Sequence, residues 1–413
     1  MTQPRPRLCK VLIVSPYFYP ENFRINDVAR DLQARGHQVE VLTGQPNYPH
    51  PSAFVEFRRQ KIRQQDWAGI KIHRVPIITR GNGGGARRIW NYISFVLSGG
   101  WWVFCDHLRR PPAQSFDAVV TWASSPITSA LPSILLRTLR PCAHAIWVQD
   151  LWPETLESLG TVKSPRVLRF LGKLSEFIYR RSDLIWGQSA EMSEAIRARV
   201  PEHPRIHVLH NWADLVIPAG EKPPLAPDPR LKILYTGNLG QAQGLAVLLN
   251  AIQSLGQEKI LWTFVGDGSL ANWLRSEILR RNLGHCVQVL PAVHRSLIRH
   301  YADWADILLL TLDSAGCFAQ TIPSKLQTYM SWQKPLLGFV EGATASVIKS
   351  HDCGLTASPR DPEAFRQAVQ TFLQMSAEKR QTLAQNAFRG SIRTFSKQSI
   401  LDTLEADLLS IGN

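Results

Sequence analysis

Short apolar runs alternate along this chain with stretches in which apolar residues return every three or four positions. The runs at 8–14, 39–43, 70–75, 118–121, 143–148, 184–187 and 206–209 read as buried strands. Between the first two, Phe23, Val28, Ala29 and Leu32 mark one helical face. Arg35-Gly36-His37 ends it, Gly36 suiting a left-handed terminator. Strand, helix and strand in that order predict a β-α-β unit and a parallel sheet. The rhythm returns with runs at 232–236, 261–265, 287–290, 307–310 and 336–340. Residues 216–229, between the two sets, are proline-rich and without periodicity, as expected of a linker.

Length agrees with this division. A chain of 413 residues exceeds one typical domain and suits two of roughly 200. The expected organisation is a domain over 1–217, a linker over 218–230, a second domain over 231–395 and a final helix over 396–413. The six cysteines are scattered without a Cys-x-x-Cys pair, which points to reduced thiols rather than disulfides or zinc. The apolar run at 11–14 is too short for a signal-peptide core, so a cytoplasmic location is expected.

The charge is unusual and unevenly placed. The formal net charge is +14, and residues 1–220 carry 28 Lys+Arg against 17 Asp+Glu. A basic first half suits nucleic acid, anionic lipid or phosphorylated substrates. No helix-turn-helix or zinc pattern accompanies the charge, which disfavours nucleic acid. Within this half, Arg87-Arg88 and Arg109-Arg110 bracket an apolar segment over 89–105 that contains Trp90, Trp101 and Trp102. It is marginal against the roughly 20 residues of a bilayer span. Three readings stay open: a helix lying in the membrane interface, a span, or a buried helix of the first domain.

Candidate chemistry gathers where strands end. After the run at 307–310, a small-residue loop leads to Pro323-Ser324-Lys325 at the start of a helix. A helix N-terminus presents backbone N–H groups and a positive dipole end, which suits an anion. Lys325 adds a cation there, an unfavourable placement unless an anion joins it. Gly237-Asn238-Leu239-Gly240 also lies between a strand and a helix, as a phosphate-approaching turn or as a plain connection. Asp150 ends the strand at 143–148, as a functional carboxylate or as a cap for the next turn. Asp267 either shapes its turn or touches a base. Tyr17 and Arg24, in the loop after the first strand, line a substrate site or pack beneath it.

Six motifs stand in order at such junctions: Gly36-His37, Asp150-Leu151-Trp152-Pro153-Glu154, His210-Asn211-Trp212-Ala213-Asp214, Gly237-Asn238-Leu239-Gly240, Val265-Gly266-Asp267-Gly268 and Pro323-Ser324-Lys325-Leu326. Together they resemble the retaining glycosyltransferases of family four, of the GT-B fold. Within that family the chain is similar to bacterial transferases that build O-antigen and capsule repeats, N-acetylfucosaminyl transferases included. The resemblance implies two Rossmann-like, doubly wound parallel-sheet domains facing a cleft. The acceptor would lie on the first domain and the nucleotide sugar on the second, with the final helix packed back on the first. It implies transfer with retention from a nucleotide-diphosphate sugar, a UDP-N-acetyl sugar by preference, to a lipid-linked saccharide. The enzyme would be peripheral on the inner face of the plasma membrane and would serve lipopolysaccharide or capsule synthesis. No cofactor and no metal are expected, and the chain contains no Asp-x-Asp.

By the same resemblance Asp150, Lys325 and Gln320 are the catalytic candidates. Gly237, Asn238, Gln243, Asp267, Ser324, Lys325, Gln327 and Thr328 are the donor ligands. Tyr17, Arg24 and Glu154 face the acceptor. The chain departs from the family at several of these positions. Asn238 and Gln243 replace Arg and Lys, and Asp150 stands where a histidine is usual. Gln320 and Thr328 replace the two carboxylates of Glu-x7-Glu, so Thr328 occupies the place of the ribose ligand and Gln327 offers an alternative. Two other readings share the architecture: a nucleotide-sugar 2-epimerase, and an inactive subunit that binds the sugar nucleotide.

Overall fold

A computed structural model describes residues 9–48, 51–60, 62–80, 85–158, 160–213, 225–255, 259–314 and 316–412. Asp214 and residues 218–224 of the expected linker lie outside these. The chain divides into two compact units, Met1–Leu209 with Leu401–Asn413, and His210–Ile400.

The first unit runs β1 Lys10–Val14, α1 Arg24–Ala34, β2 Gln38–Gly44, α2 Val55–Arg59, β3 Gln64–Trp67, β4 Ile70–Val75, α3 Gly85–Arg109, β5 Ala118–Ala123, α4 Leu131–Leu139, β6 Ala143–Val148, α5 Glu154–Ser158, α6 Pro165–Arg180, β7 Leu184–Gly187, α7 Ala190–Arg199 and β8 Ile206–Val208. Its sheet has the order β3-β4-β2-β1-β5-β6-β7-β8. All pairs are parallel except β3 with β4. Strands β1, β5, β6 and β7 are buried almost throughout, as apolar runs covered on both faces should be. The polar edge strand β3, Gln-Gln-Asp-Trp, carries no apolar signal and was not predicted from the sequence.

The second unit runs β9 Leu231–Thr236, α8 Leu245–Leu255, β10 Ile260–Val265, α9 Ala271–Arg280, β11 Val287–Leu290, α10 Arg295–Trp304, β12 Ile307–Thr311, α11 Ser324–Ser331, β13 Leu336–Phe339, α12 Gly342–Ser350, β14 Gly354–Ala357, α13 Pro362–Gln374, α14 Ala377–Thr394 and the start of α15 Lys397–Ile411. Its sheet is parallel throughout, in the order β11-β10-β9-β12-β13-β14. Apolar clusters cover both faces, Trp262, Phe264 and Phe365 on one, Leu308, Leu326 and Met330 on the other. From Leu401 onward α15 belongs to the first unit, where Glu405 pairs with Arg35 at 2.6 Å and with His37 at 2.8 Å.

Helix α3 settles which readings of 89–105 remain. Asn91, Phe95, Gly99 and Val103 point inward at four-residue intervals. A Cβ on Gly99 would lie 3.1 Å from Pro132, so the helix seats closely against α4. The opposite face carries Ile93, Leu97, Trp101 and Leu108, all exposed. The helix is therefore neither wholly buried nor a span: among the described residues no helix is long and apolar enough to cross a membrane.

Candidate active site

Both sheets are doubly wound, and strand order reverses at β1/β5 in the first unit and at β9/β12 in the second. Ligands of open parallel sheets bind beyond the carboxyl ends of strands at such switch points.

In the second unit the corner after β9 is built around Lys325. Its ammonium donates to the Tyr235 hydroxyl and lies 4.2 Å from the centre of that ring. Tyr235 in turn donates to the Asn238 carbonyl at 2.6 Å. Helix α11 is pinned to the same strand end by Tyr329, whose hydroxyl accepts from Thr236 N at 2.8 Å. Gly237 separates these anchors. Its φ of 118° suits glycine, and a Cβ there would lie 2.6 Å from Lys325 Cε. Burial pushes the Lys325 ammonium down to about 7, and no carboxylate offsets that burial among the described residues. The cation predicted from sequence is thus partly buried and electrostatically unpaired.

The neighbouring loops close the corner. Gln243 Oε1 accepts from Gly240 N at 3.0 Å, so this glutamine holds the turn after β9. Thr311 Oγ1 donates to Gln243 O at 2.8 Å and Asp313 N to Ala242 O at 2.9 Å, which ties the loop after β12 to the loop after β9. Asp267 accepts Leu239 N on its carbonyl and Gly268 N on its carboxylate, both at 2.8 Å; it shapes the turn. Asn238 is exposed.

The remaining donor candidates are less direct. Ser324 opens α11 and is exposed. Thr328 donates its hydroxyl to Ser324 O at 3.0 Å, which leaves its oxygen as an acceptor only. Gln327 is completely buried, and neither polar atom of its amide is bonded among the described residues, so it does not reach the surface of the corner. Gln320 ends a 3-10 turn over Gly316–Gln320. That turn is held against α12 at Gly342, where φ is 58° and a Cβ would meet Ala319 O at 1.9 Å.

In the first unit Asp150 follows β6. It does not cap α5: its Oδ2 accepts from Ser125 N at 3.2 Å and from Ser125 Oγ at 3.0 Å, across to the loop after β5. Trp152 Nε1 donates to the same Oγ at 2.9 Å. Burial raises the Asp150 carboxyl and Ser125 works against it. Glu154 is held by Arg199, which also donates to Trp152 O at 2.8 Å, so it braces this loop.

The loop after β1 is organised by a residue that sequence patterning did not single out. Glu21 is buried and accepts from Asn47 N at 2.8 Å, Tyr48 N at 2.6 Å and Phe18 N at 3.3 Å. Burial raises its carboxyl to about 7 against these bonds. Tyr17 stacks on Phe23 with centroids 5.2 Å apart, and Arg24 begins α1 beside it. Arg80 lies over Tyr17, Tyr48 and Tyr92 at 5.3, 5.7 and 5.5 Å and donates to the Tyr92 hydroxyl at 2.8 Å. Tyr92 meets Trp152 at 6.2 Å, so Arg80, Tyr92, Trp152, Ser125 and Asp150 form one continuous wall. Strand-end position alone could have marked Ser125; Tyr235, Glu21 and Arg80 carry no sequence signal of their own. Among the described residues no cluster of His, Cys, Asp and Glu could hold a metal ion.

Comparison with known proteins agrees with this layout. Residues 22–212 match the glycosyl transferase 4-like domain and residues 218–390 match glycosyl transferases group 1. The probable glycosyltransferase WbjE of Pseudomonas aeruginosa is 29% identical over 259 residues, which covers 58% of this chain but only 63% of that protein. The putative colanic acid biosynthesis glycosyl transferase WcaI of Escherichia coli K12 is 22% identical over 78% of this chain and 81% of its own. Among solved structures, Anabaena Alr3699/HepE in complex with UDP is similar in fold, with a TM-score of 0.69 at 14% identity, covering 97% of this chain and 100% of that one. The expected fold class, GT-B with two Rossmann-like parallel-sheet units, is the one found. The first half of the chain is thus similar to the glycosyl transferase 4-like domain and the second half to glycosyl transferases group 1.

Proposed function

We propose that this protein transfers a sugar, with retention, from a nucleoside-diphosphate sugar to a hydroxyl of a lipid-linked saccharide. The role is in cell-surface polysaccharide synthesis. The observation that carries this reading is the Lys325 corner. A partly buried ammonium, fixed by Tyr235 beside a glycine turn and a helix N-terminus, is suited to a diphosphate. The names of the relatives WbjE and WcaI support the reaction class, and the UDP bound to HepE supports a uridine donor.

In the proposed reaction, Lys325, the Asn238 amide and the first N–H groups of α11 stabilise the diphosphate as the bond to the anomeric carbon breaks. Charge develops mainly on that leaving group, so these contacts supply most of the catalysis. The acceptor oxygen attacks the same face, and its proton passes to the departing phosphate oxygen, which preserves configuration. Asp150, held by Ser125, orients the acceptor or stabilises the cationic carbon. Gln320 lies toward the transferred sugar, and Thr328 accepts one ribose hydroxyl. Arg24 and the Arg80 wall face the acceptor, whose anionic linker suits the two arginines, while buried Tyr17 supports Arg80 from beneath. The enzyme would sit as a peripheral protein on an anionic membrane, through the exposed face of α3. Thermal shift with UDP, GDP, ADP and dTDP tests the donor reading, because a ligand of the folded state raises its melting point. No shift with any of them would sink it.

A further inference from the structure

The exposed face of α6 raises a question that α3 alone does not answer. Phe170 is 65% exposed, and Val167 and Phe177 are 44% and 43% exposed. Around them stand Arg166, Arg169, Lys173 and Arg180, all exposed, with Arg181 5.5 Å from the Phe177 ring centre. One acid, Glu176, shares this stretch, and it is paired with Arg180 at 2.9 Å. A soluble helix normally turns its phenylalanines inward. Here the inward face is filled by Leu171, Leu174 and Ile178, and the phenylalanines are additional. Aromatic rings flanked by Arg and Lys on an outward helix face are what an anionic lipid interface binds.

Helix α3 carries the complementary half. Leu97 and Trp101 are 68% and 67% exposed on its outward stripe, and at 25 residues it extends about 37 Å. Its own outward face is apolar and aromatic more than basic. The two helices are joined beneath the surface: Tyr92 of α3 and Leu171 and Leu174 of α6 pack on one cluster that contains Trp152. That cluster lies directly behind the Asp150 loop.

We infer that α6 is a second membrane-docking element, which supplies the anionic-phospholipid contact while α3 supplies apolar insertion. The inference rests on the peripheral-membrane reading given above. Its consequence is that the wall running from Arg80 to Asp150 is held at the bilayer surface, where a lipid-linked acceptor presents its head.

Flotation of the full-length protein with vesicles of phosphatidylglycerol and phosphatidylethanolamine, against vesicles of phosphatidylcholine alone, tests this. Arg166→Gln/Arg169→Gln/Lys173→Gln should lower partition to the anionic vesicles by on the order of 100-fold, at roughly fivefold per basic residue. It should leave the weak partition to neutral vesicles unchanged. Phe170→Ser/Phe177→Ser should lower partition to both, by roughly tenfold per ring. All these positions are exposed, and unchanged circular-dichroism melting checks the fold. If only Leu97→Ser/Trp101→Ser reduces flotation, α3 docks alone and the inference about α6 fails. If the wild type floats with neither vesicle, the membrane reading fails with it. If the lipid-free protein is a dimer that Phe170→Ser/Phe177→Ser dissociates, a second copy covers the face and the inference is overturned.

Discussion

Lys325 rests on Tyr235, with its ammonium 4.2 Å from the ring centre and donating to the phenol. This pairing fixes a cation at the mouth of the β9/β12 switch without neutralising it. A carboxylate there would cancel the charge; a phenol orients it and leaves it available.

The charge state of Lys325 sets a pH dependence. Its pKa falls to about 7 in the folded protein, and a bound diphosphate would raise it again. Affinity for a nucleoside diphosphate is therefore fullest below pH 7 and falls up to tenfold per unit above it. Calorimetry between pH 6 and 9 checks this, and Lys325→Met should abolish the trend. For stability the sign is reversed: the depressed pKa is a penalty, full below pH 7 and relieved as pH rises towards the unfolded value. Lys325→Met should melt a few degrees above wild type at pH 6, with the gap closing by pH 10.

Gly237→Ala places a methyl against Lys325 Cε at a φ that disfavours alanine. It should cost about 1–3 kcal/mol in urea unfolding and weaken nucleotide binding more than tenfold. A neutral effect would mean that the corner is looser than its geometry indicates.

Glu21 links the loop after β1 to protonation. Its pKa is raised to about 7, so the first unit gains stability below the unfolded carboxylate value and loses it as pH rises through 7. Glu21→Gln keeps an acceptor for Asn47 and Tyr48 and should flatten melting temperature over that window. Glu21→Ala leaves their N–H groups unpaired and should cost about 2–4 kcal/mol.

Asp150→Asn retains an oxygen for Ser125 but removes the charge. Transfer should fall on the order of 100-fold with nucleotide affinity unchanged. An equal loss in both would assign Asp150 to structure.

Thr328 is the proposed ribose contact, and its hydroxyl proton is spent on Ser324 O. Thr328→Glu should tighten UDP binding by roughly tenfold, the worth of one charged hydrogen bond. Weaker binding would show that ribose is held elsewhere.

Much of the fold was legible because the central strands are nearly continuous apolar runs; β5, β6 and β12 fall within a residue or two of their expected places. Strand β3 escaped because an antiparallel edge needs no buried face, and half-exposed Gly354–Ala357 escaped because it has no run. Lys325 was legible from Pro-Ser-Lys at a helix start. Tyr235 was not, because a tyrosine in a buried strand reads as core until Lys325 is placed over it. The Asp150–Ser125 bond joins two loops 25 residues apart, and no local pattern announces it. The Arg80 cage draws its tyrosines from three separate segments, for the same reason.

The central claim is that Lys325 holds a nucleoside diphosphate at this corner. Isothermal titration of wild type and Lys325→Met with UDP, GDP, ADP and dTDP at pH 6.5 tests it most directly. At least one of these should bind wild type, and Lys325→Met, still folded, should lose about 100-fold of that affinity. Equal affinity in the two proteins would contradict it.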